Sequence, residues 1–534
     1  MEIQNSRRSI WLPIAFALVM AGGIFIGQLI NRNSHPSKFT IYPRNDKVSN
    51  VIDYISEEYV DTVNRNKISD KAITSILETL DPHSVYIPAS ELQRMNEPLE
   101  GNFFGIGVQF NLQNDTIVIV NTVANGPSQM LGILAGDRII KVNDSLVAGI
   151  KLQSEDVVKK LKGQQGTKVK VSILRKGIKK LLDFEIVRSK IPLYSVDVSY
   201  MVAPGVGFIK INQFARTTYD EFIAGVKKLH EEGMKKLIID LRANGGGYMD
   251  AATRIADEFF GNKELIVYTQ GKSRPRQDIK ATEGGVCLGD SVVVLLDEWS
   301  ASASEILAGA IQDNDRGLII GRRSFGKGLV QEQIVLADGS AIRLTVARYY
   351  TPSGRCIQKP YNHGYDEYYN ELHTRYVHGE LMKADSIKFA DSLAFHTPKG
   401  KILYAGGGIM PDVFIPIDTV GYTSYFAEVR NRGLMYSFAF QYADQNRPKL
   451  SGYKEIEKLE KYLDNIRLLE DFVNFASKKG VAAKPKEIQI SKELILTQVK
   501  AYIARDILDN AGFYPIISRI DNTLQKAIVV LNKE

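Results

Sequence analysis

The chain has 534 residues, which is too long for one hydrophobic core and predicts three or four domains. Its formal net charge of +7 is small for this length, and no basic run occurs, so the sequence indicates no nucleic-acid partner. The two cysteines, Cys287 and Cys356, exclude a disulfide framework and a cysteine metal site, and free thiols are favoured over one bridge. No metal-binding or phosphate-binding motif is found, so we expect no metal and no cofactor.

An uncharged apolar stretch covers residues 10–30 and follows Arg7 and Arg8. It is long enough to span a bilayer as a helix, and no convincing cleavage site follows Gly27. We therefore predict an uncleaved signal anchor within residues 1–30, which contacts the membrane through residues 10–30. The arginines would lie in the cytoplasm and the rest of the chain would be exported.

Residues 31–98 are predicted to form an N-terminal helical region. Apolar residues recur at helical spacing in two groups, Val48, Val51, Ile52 and Ile55, then Ile73, Ile76, Leu77 and Leu80. A turn at residues 81–84 is predicted to end the second helix, and we interpret His83 in this turn as a turn residue.

Residues 99–190 are predicted to form a compact β-rich module. Its strand-like runs are residues 107–110, 116–120, 138–142 and 168–174, and a helix is predicted at Ser154–Leu161.

Two stretches of this module resemble PDZ domains. Residues 136–143 read Gly-Asp-Arg-Ile-Ile-Lys-Val-Asn and resemble the PDZ signature, and Phe104, Gly105, Ile106 and Gly107 resemble the carboxylate-binding loop. The resemblance implies that N–H groups of this loop bind a terminal carboxylate while the peptide adds as a strand. A glycine turn that only opens a hairpin is the less favoured interpretation.

Residues 191–420 are predicted to contain a parallel βαβ arrangement. Strands at residues 207–211 and 236–241 flank an amphipathic helix, and a glycine turn at residues 242–247 leads into a further helix. The turn lacks the glycine spacing and the lysine of nucleotide-binding loops. Arg242 and Asn244 are interpreted as residues that hold the turn in shape.

Three serines lie between a buried strand at residues 291–297 and a helix that follows residue 305. At such a turn, unpaired amides and the helix dipole favour negative charge, so a serine hydroxyl there could attack a carbonyl. A serine nucleophile needs a base, and none of the seven histidines lies in a recognisable triad motif. Lys327, between two glycines and near Phe325, is the other candidate, because desolvation would lower its pKa.

Three stretches together closely resemble the carboxyl-terminal processing (tail-specific) proteases: residues 300–305, the Gln-Asp pair at 312–313, and residues 325–331. The resemblance covers residues 45–420 and implies roles for five residues: the nucleophile Ser302, the general base Lys327, Gln331 that orients the lysine, and the oxyanion-hole amides of Gly246 and Ala303. Asp297-Glu298-Trp299 departs from the family, where Asn-x-Gly is usual.

The predicted fold class is a multidomain α/β protein. The resemblance implies a crotonase/Clp-like βαβ protease core at residues 191–420, with an inserted β-rich PDZ domain at 99–190 and helical regions before and after. Residues 361–395 are interpreted as a surface insertion of unknown role, and residues 421–534 as a C-terminal helical region. A homo-oligomer is compatible with the sequence, but no motif specifies one.

The predicted function is that of an exported serine endopeptidase of the bacterial inner membrane, single-pass, with its catalytic part in the periplasm. Its PDZ domain would bind the C-termini of protein or peptide substrates, and a Ser302/Lys327 dyad would cleave them. In one alternative, Ser324 of a Ser-x-x-Lys pattern is the nucleophile, although its partner motifs are missing. In the other, the protein is a catalytically inactive PDZ scaffold in the cell envelope.

Overall fold

The computed structural model describes residues 15–23, 46–362, 364–387 and 390–533. The chain separates into two units, Met1–Ser75 and Ile76–Glu534. In the first unit, residues 15–23 are helical and helix α1 (Lys47–Glu58) begins after Asp46, whose carboxylate accepts hydrogen bonds from the next amides. Helix α2 (Arg65–Glu78) follows and crosses the boundary.

Among the described residues, no helix is long and apolar enough to cross a membrane. Of the anchor predicted at residues 10–30, only residues 15–23 belong to the described part of the chain. The predicted membrane span is therefore not found there, and the rest of that prediction lies outside the described residues.

The PDZ-like module of the second unit is built on an antiparallel sheet with the strand order β3-β4-β5-β7-β8, and β6 pairs with β5. Its elements are β2 (Asn102–Gly105), β3 (Val108–Gln113), β4 (Thr116–Thr122), α4 (Pro127–Met130), β5 (Arg138–Val142), β6 (Ser145–Leu146), α5 (Ser154–Leu161), β7 (Lys168–Leu174), β8 (Leu182–Val187) and β9 (Ser189–Pro192). Before it come β1 (Val85–Ile87) and α3 (Ala89–Glu100). Buried aliphatic side chains of the sheet and of α5 form one core, so the module has a hydrophobic interior of its own.

The protease core contains a six-stranded sheet in the order β10-β11-β12-β15-β16-β21, which is parallel except for β10. Its elements are β10 (Val196–Ala203), β11 (Val206–Ile211), α6 (Thr218–Glu231), β12 (Lys236–Asp240), α7 (Met249–Asp257), β13 (Leu265–Gly271), β14 (Arg274–Lys280), β15 (Ser291–Leu296), α8 (Ala303–Asp313), β16 (Leu318–Gly321), β17 (Leu329–Val335), β18 (Ala341–Tyr350), α9 (Tyr365–Val377), β19 (Ala394–His396), β20 (Ile402–Tyr404) and β21 (Val413–Phe414). Short 3-10 turns lie at Ala384–Ser386 and Asp391–Leu393.

A second sheet lies beside the first and carries the strand that follows Lys327. In it, β18 pairs with β17, with β13 and, through residues 341–343, with β1. The region predicted to be helical before the PDZ-like module therefore also supplies a strand to the core.

The C-terminal helices are α10 (Ser424–Asn431), α11 (Leu434–Leu450), α12 (Ile456–Asp464), α13 (Leu468–Lys478), α14 (Pro485–Ile517) and α15 (Asn522–Leu531), with a 3-10 turn at Ser518–Ile520. Asp509, with φ 54° and ψ −151°, interrupts α14. Helices α10 to α14 share a core of their own, and Asp444 of α11 pairs with Arg138 of the PDZ-like module at 2.7 Å.

Helices cover both faces of the core sheet, as the apolar strands of a parallel sheet require. On one face, α6, α7 and α8 bury Phe222, Ile255 and Leu307 against the strands. On the other face lies α15, which buries Leu524 and Leu531. The last helix of the region predicted at residues 421–534 is thus part of the core.

The end of α8 and the segment after β18 meet in a buried ion pair. Arg355, after β18, and Asp313, at the end of α8, are both fully buried, with Nη2 and Oδ1 2.7 Å apart. Arg355 also donates to the carbonyl of Tyr404 at 2.9 Å and to Gln312 Oε1 at 2.8 Å. The pair joins the helix that follows Ser302 to the chain that follows β18.

We predict that Arg355→Met will destabilise the core by about 3–5 kcal/mol, because it leaves the Asp313 carboxylate buried without its partner. Urea denaturation followed by circular dichroism measures this as a lower midpoint. The matched control is Lys168→Met, which breaks the exposed Lys168–Glu185 pair and should leave the midpoint unchanged. Equal effects of the two substitutions would contradict the prediction.

Candidate active site

Ser302 is the residue immediately before helix α8, and its backbone lies at φ 57° and ψ −112°. Residues other than glycine rarely adopt this region of backbone angles. Such backbone strain occurs most often at functional sites, where the surrounding structure enforces it. Ser300 and Ser304 are fully buried, and their hydroxyls donate to the carbonyls of Leu241 and Asn244, both at 2.9 Å. Of these three serines, Ser302 alone has a partly exposed side chain.

The glycine turn after β12 lies directly against Ser302. Gly246 has a φ of 100°, and a Cβ placed on it would lie 2.8 Å from the Ser302 Cβ and 3.0 Å from the Ala303 amide nitrogen. Only glycine therefore allows this approach of the two backbones. The structure brings Gly246, Ser302 and Ala303 together.

The amide of Gly246 already has a partner in this arrangement. It donates to Asn244 Oδ1 at 2.9 Å, in the manner of an Asx turn. Asn244 is fully buried, and its Nδ2 donates to the carbonyl of Ile211 at 3.0 Å. An oxyanion beside Ser302 would therefore have to share the Gly246 amide with Asn244 or replace it.

Lys327 lies in the loop between β16 and β17, and its Nζ donates to Gln331 Oε1 at 3.0 Å. Burial lowers its pKa below the ordinary lysine value; the charge of Arg343 lowers it further, whereas Asp81 and Glu305 oppose the change. The Nε2 of Gln331 donates to the carbonyl of His83. The structure thus places Gln331 between Lys327 and the turn at residues 81–84.

Glu305 connects the two segments that carry Ser302 and Lys327. Its side chain is fully buried, and its carboxylate accepts from the amides of Ser302, Gly326 and Lys327 at 2.8, 2.7 and 2.9 Å, and from the Ser324 hydroxyl. Burial raises the pKa of Glu305, while these four hydrogen bonds oppose the rise. The sequence patterns above predict no role for Glu305. However, Ser302-x-x-Glu305 at the start of a helix is the pattern of a capping box.

Tyr349 makes a second connection between the segments that carry Ser302 and Lys327. It is buried on β18, and its hydroxyl lies 3.1 Å from the carbonyl of Ser302 and 2.9 Å from the carbonyl of Lys327. No sequence signal beyond the strand pattern of residues 341–350 could have identified it.

Ser324, the alternative nucleophile, is held inside the protein. It is fully buried, its hydroxyl donates to Glu305, and its oxygen accepts from the amide of Ile409 at 2.6 Å. Both hydrogen-bonding roles of the hydroxyl are used to fix the loop. This geometry disfavours Ser324 as a nucleophile.

Both acidic side chains of residues 297–299, where the sequence departs from the family, have local partners. Asp297 Oδ1 accepts from the amides of Ala243 and Trp299 at 2.9 and 3.0 Å, and Glu298 pairs with Arg322 at 2.7 Å. The indole of Trp299 is left 58% exposed beside the serines. These charges support the turn and leave Ser302 in place.

The residues predicted to bind a C-terminal tail lie together at the start of the PDZ-like module. Phe104 and Gly105 belong to β2, and Gly107, with φ 72°, leads into β3. The carbonyl of Phe104 accepts from the amide of Gly163 at 3.3 Å, just after α5, and the carbonyl of Ile106 accepts from the Ser128 hydroxyl at 2.6 Å. The loop is therefore held by the end of α5 and by α4.

Three regions of the chain match models of protein families. A model of peptidase family S41 matches residues 205–364, a PDZ-domain model matches residues 105–186, and a family of unknown function matches residues 425–509. The carboxy-terminal-processing protease of Bartonella bacilliformis is 35% identical over 360 residues, which are 66% of this chain and 80% of that protein. The carboxy-terminal processing protease CtpB of Bacillus subtilis is 34% identical over 317 residues, or 59% of this chain and 65% of CtpB.

Two solved structures are also similar. The photosystem II D1 C-terminal processing protease is 25% identical, with 69% of this chain and 86% of that chain covered and a TM-score of 0.36. The PDZ domain of the carboxy-terminal protease from Vibrio cholerae, in complex with peptide, is 36% identical, with 17% of this chain and 99% of that chain covered and a TM-score of 0.16.

The matches confirm the predicted protease core and PDZ domain, in the predicted order along the chain. The Bartonella relative shares 35% identity over 80% of its own length. This chain therefore belongs to the carboxy-terminal processing proteases of peptidase family S41, and it is a peptidase that carries a PDZ domain.

Proposed function

We propose that this protein is a serine endopeptidase that binds the C-terminal tail of a protein substrate through its PDZ domain and cleaves with a Ser302/Lys327 dyad. The observation that carries the proposal is that buried Glu305 accepts hydrogen bonds from the amides of both residues. We also propose the boundaries 99–190 for the PDZ domain, 191–420 for the core with its insertion at 361–395, and 421–534 for the C-terminal region, whose last helix packs on the core. Export to the periplasm stays a prediction from the sequence.

In the proposed reaction, neutral Lys327 removes the proton of the Ser302 hydroxyl, and the serine oxygen attacks the substrate carbonyl. Burial favours neutral lysine because it lowers the pKa of the ammonium. Gln331 keeps the lysine Nζ in place by accepting its hydrogen bond.

The amides of Gly246 and Ala303 would stabilise the oxyanion that forms. Each lies at Ser302, and a donor of this kind contributes about 10²–10³-fold to kcat in serine proteases. Lys327 then returns its proton to the leaving amine, and water hydrolyses the acyl-enzyme. The Gly246 amide exchanges its bond to Asn244 for one to the oxyanion during this step.

We predict that Ser302→Ala and Lys327→Ala will each lower kcat by roughly 10⁴-fold or more, because each removes a group that acts in the chemical step. Cleavage of an unstructured reporter with an apolar C-terminal tail measures this. Ser324→Ala is the comparison: it should lower thermal stability but retain cleavage, since Ser324 holds the loop. If Ser324→Ala alone were inactive, the nucleophile would be wrongly assigned. If the unaltered protein bound the tail and never cut it, the scaffold alternative would hold.

The pH dependence follows from the direction of the Lys327 pKa. The active base is neutral, so kcat/KM is full above this pKa and is lost as the pH falls through it. We predict that Arg343→Gln will move this acidic limb to higher pH, because it removes a positive charge that lowers the lysine pKa. Asp81→Asn should move the limb to lower pH, because it removes a negative charge that raises the pKa. The prediction fails if both variants move the limb in the same direction.

The PDZ role predicts that amidation of the reporter's C-terminus will lower kcat/KM by roughly 10-fold or more, the loss expected for a hydrogen bond to a charged group. The control is the same reporter with a free carboxylate. Binding measured with the Ser302→Ala variant separates tail capture from cleavage. Equal cleavage of the two reporters would argue against recognition of the terminal carboxylate.

A further inference from the structure

The insertion at residues 361–395 packs on the loop that carries Lys327. In its helix α9, Arg375 is only 2% exposed, and its guanidinium donates to the carbonyls of Ser324 and Phe325 at 2.8 and 3.2 Å. The same guanidinium pairs with Glu371, one turn earlier, at 2.5 Å. A buried cation of α9 therefore fixes the backbone immediately before Lys327.

Lys359 strengthens this packing from the core side. Its Nζ lies 3.0 Å from both Glu371 Oε2 and the carbonyl of Tyr368. The same ammonium lies over the rings of Phe325 and Tyr368, at 3.9 and 4.2 Å from their centroids. Helix α9 and the loop before Lys327 are thus held to one another by several buried contacts.

Helix α9 also reaches the turn at residues 81–84 through Tyr368 and through Tyr369, whose hydroxyl donates to the carbonyl of Pro82 at 3.1 Å. The Tyr368 hydroxyl lies 2.8 Å from His83 Nε2, and Gln358 Nε2 donates to the same hydroxyl at 3.4 Å. Because Gln358 donates, the hydroxyl proton is directed to His83. Burial lowers the pKa of His83 to about 3, helped by the positive charge of Lys327, so the imidazole is neutral and its Nε2 is able to accept the hydroxyl proton.

The main-chain carbonyl of His83 determines which way the Gln331 amide points. The main-chain oxygen of His83 can only accept, so it must face the Gln331 NH₂ group. The Oε1 of Gln331 is then left to accept from Lys327 Nζ at 3.0 Å. A rotated amide would place a donor against the lysine ammonium and an acceptor against the carbonyl.

We infer that Tyr368 and His83 are positioning residues for Lys327, and that the insertion is part of the apparatus that sets the general base. The Tyr368 hydroxyl contacts the imidazole of His83, the carbonyl of His83 contacts the Gln331 amide, and this amide contacts the Lys327 Nζ. Neither Tyr368 nor His83 is assigned contact with the substrate. The inference rests on the proposed function, because it needs Lys327 to be the base.

The first test is Tyr368→Phe in the full chain, which removes one hydroxyl and keeps the ring. We expect kcat to fall about 10-fold with KM unchanged, since a small displacement of a catalytic group lowers the rate of chemistry. The matched control is Tyr365→Phe on the same helix, whose side chain is exposed, and it should leave kcat unchanged. A fall in melting temperature without a fall in kcat would show a structural role only and would overturn the inference.

The second test asks whether the effect passes through Gln331. In a Gln331→Ala background, Tyr368→Phe should lower kcat no further, because the group it positions is gone. Two independent, multiplying losses would overturn the inference.

Two substitutions of His83 provide a rescue test. His83→Leu removes the acceptor and should lower kcat as Tyr368→Phe does. His83→Gln keeps an oxygen near the position of Nε2 and should retain most of the activity. Equal losses in the leucine and glutamine variants would contradict the role of the acceptor.

The same variants distinguish an error in the catalytic dyad from an error in the positioning role. If Lys327→Ala still cleaves the reporter, the dyad is wrong. If Lys327→Ala is inactive while Tyr368→Phe and His83→Leu keep the kcat of the unaltered protein, the dyad stands and the positioning role is wrong.

Discussion

The carboxylate of Glu305 is the constraint on which the rest of the active site depends. A fully buried carboxylate is costly unless its oxygens are satisfied, and four donors satisfy this one. Three of these donors belong to the loop before β17 and the fourth is the amide of Ser302. Because the same carboxylate accepts from the backbone amides of Ser302 and Lys327, the two residues are held in a fixed relative position.

Much of the fold could be predicted because its signals are local. Strands β5 and β7 and helix α5 begin and end where the strand-like runs and the helix-start residues predict them. Ser302, Lys327 and Gln331 could be named because each lies in a short stretch that resembles the protease family. The structure places Lys327 and Gln331 in contact and brings Gly246 against Ser302.

The rest depends on contacts between residues far apart in the chain, which periodicity does not encode. Tyr349 looks like any residue of a buried strand, yet its hydroxyl reaches the backbones of Ser302 and Lys327. The uneven pattern of residues 361–395 gave no reason to expect a helix against the lysine loop. The residues of β1 and α15 likewise lie in the helical regions predicted at 31–98 and 421–534, yet both elements complete the core.

The position of α15 has a consequence for the synthesis of the enzyme. This helix covers the sheet face formed by Phe208, Ile238 and Val293, and it is made long after those strands. Until it emerges, that face of the sheet exposes apolar side chains, and the core that supports the serine turn has only one of its two layers. The sheet therefore has both of its helical layers only after α15 has been synthesised.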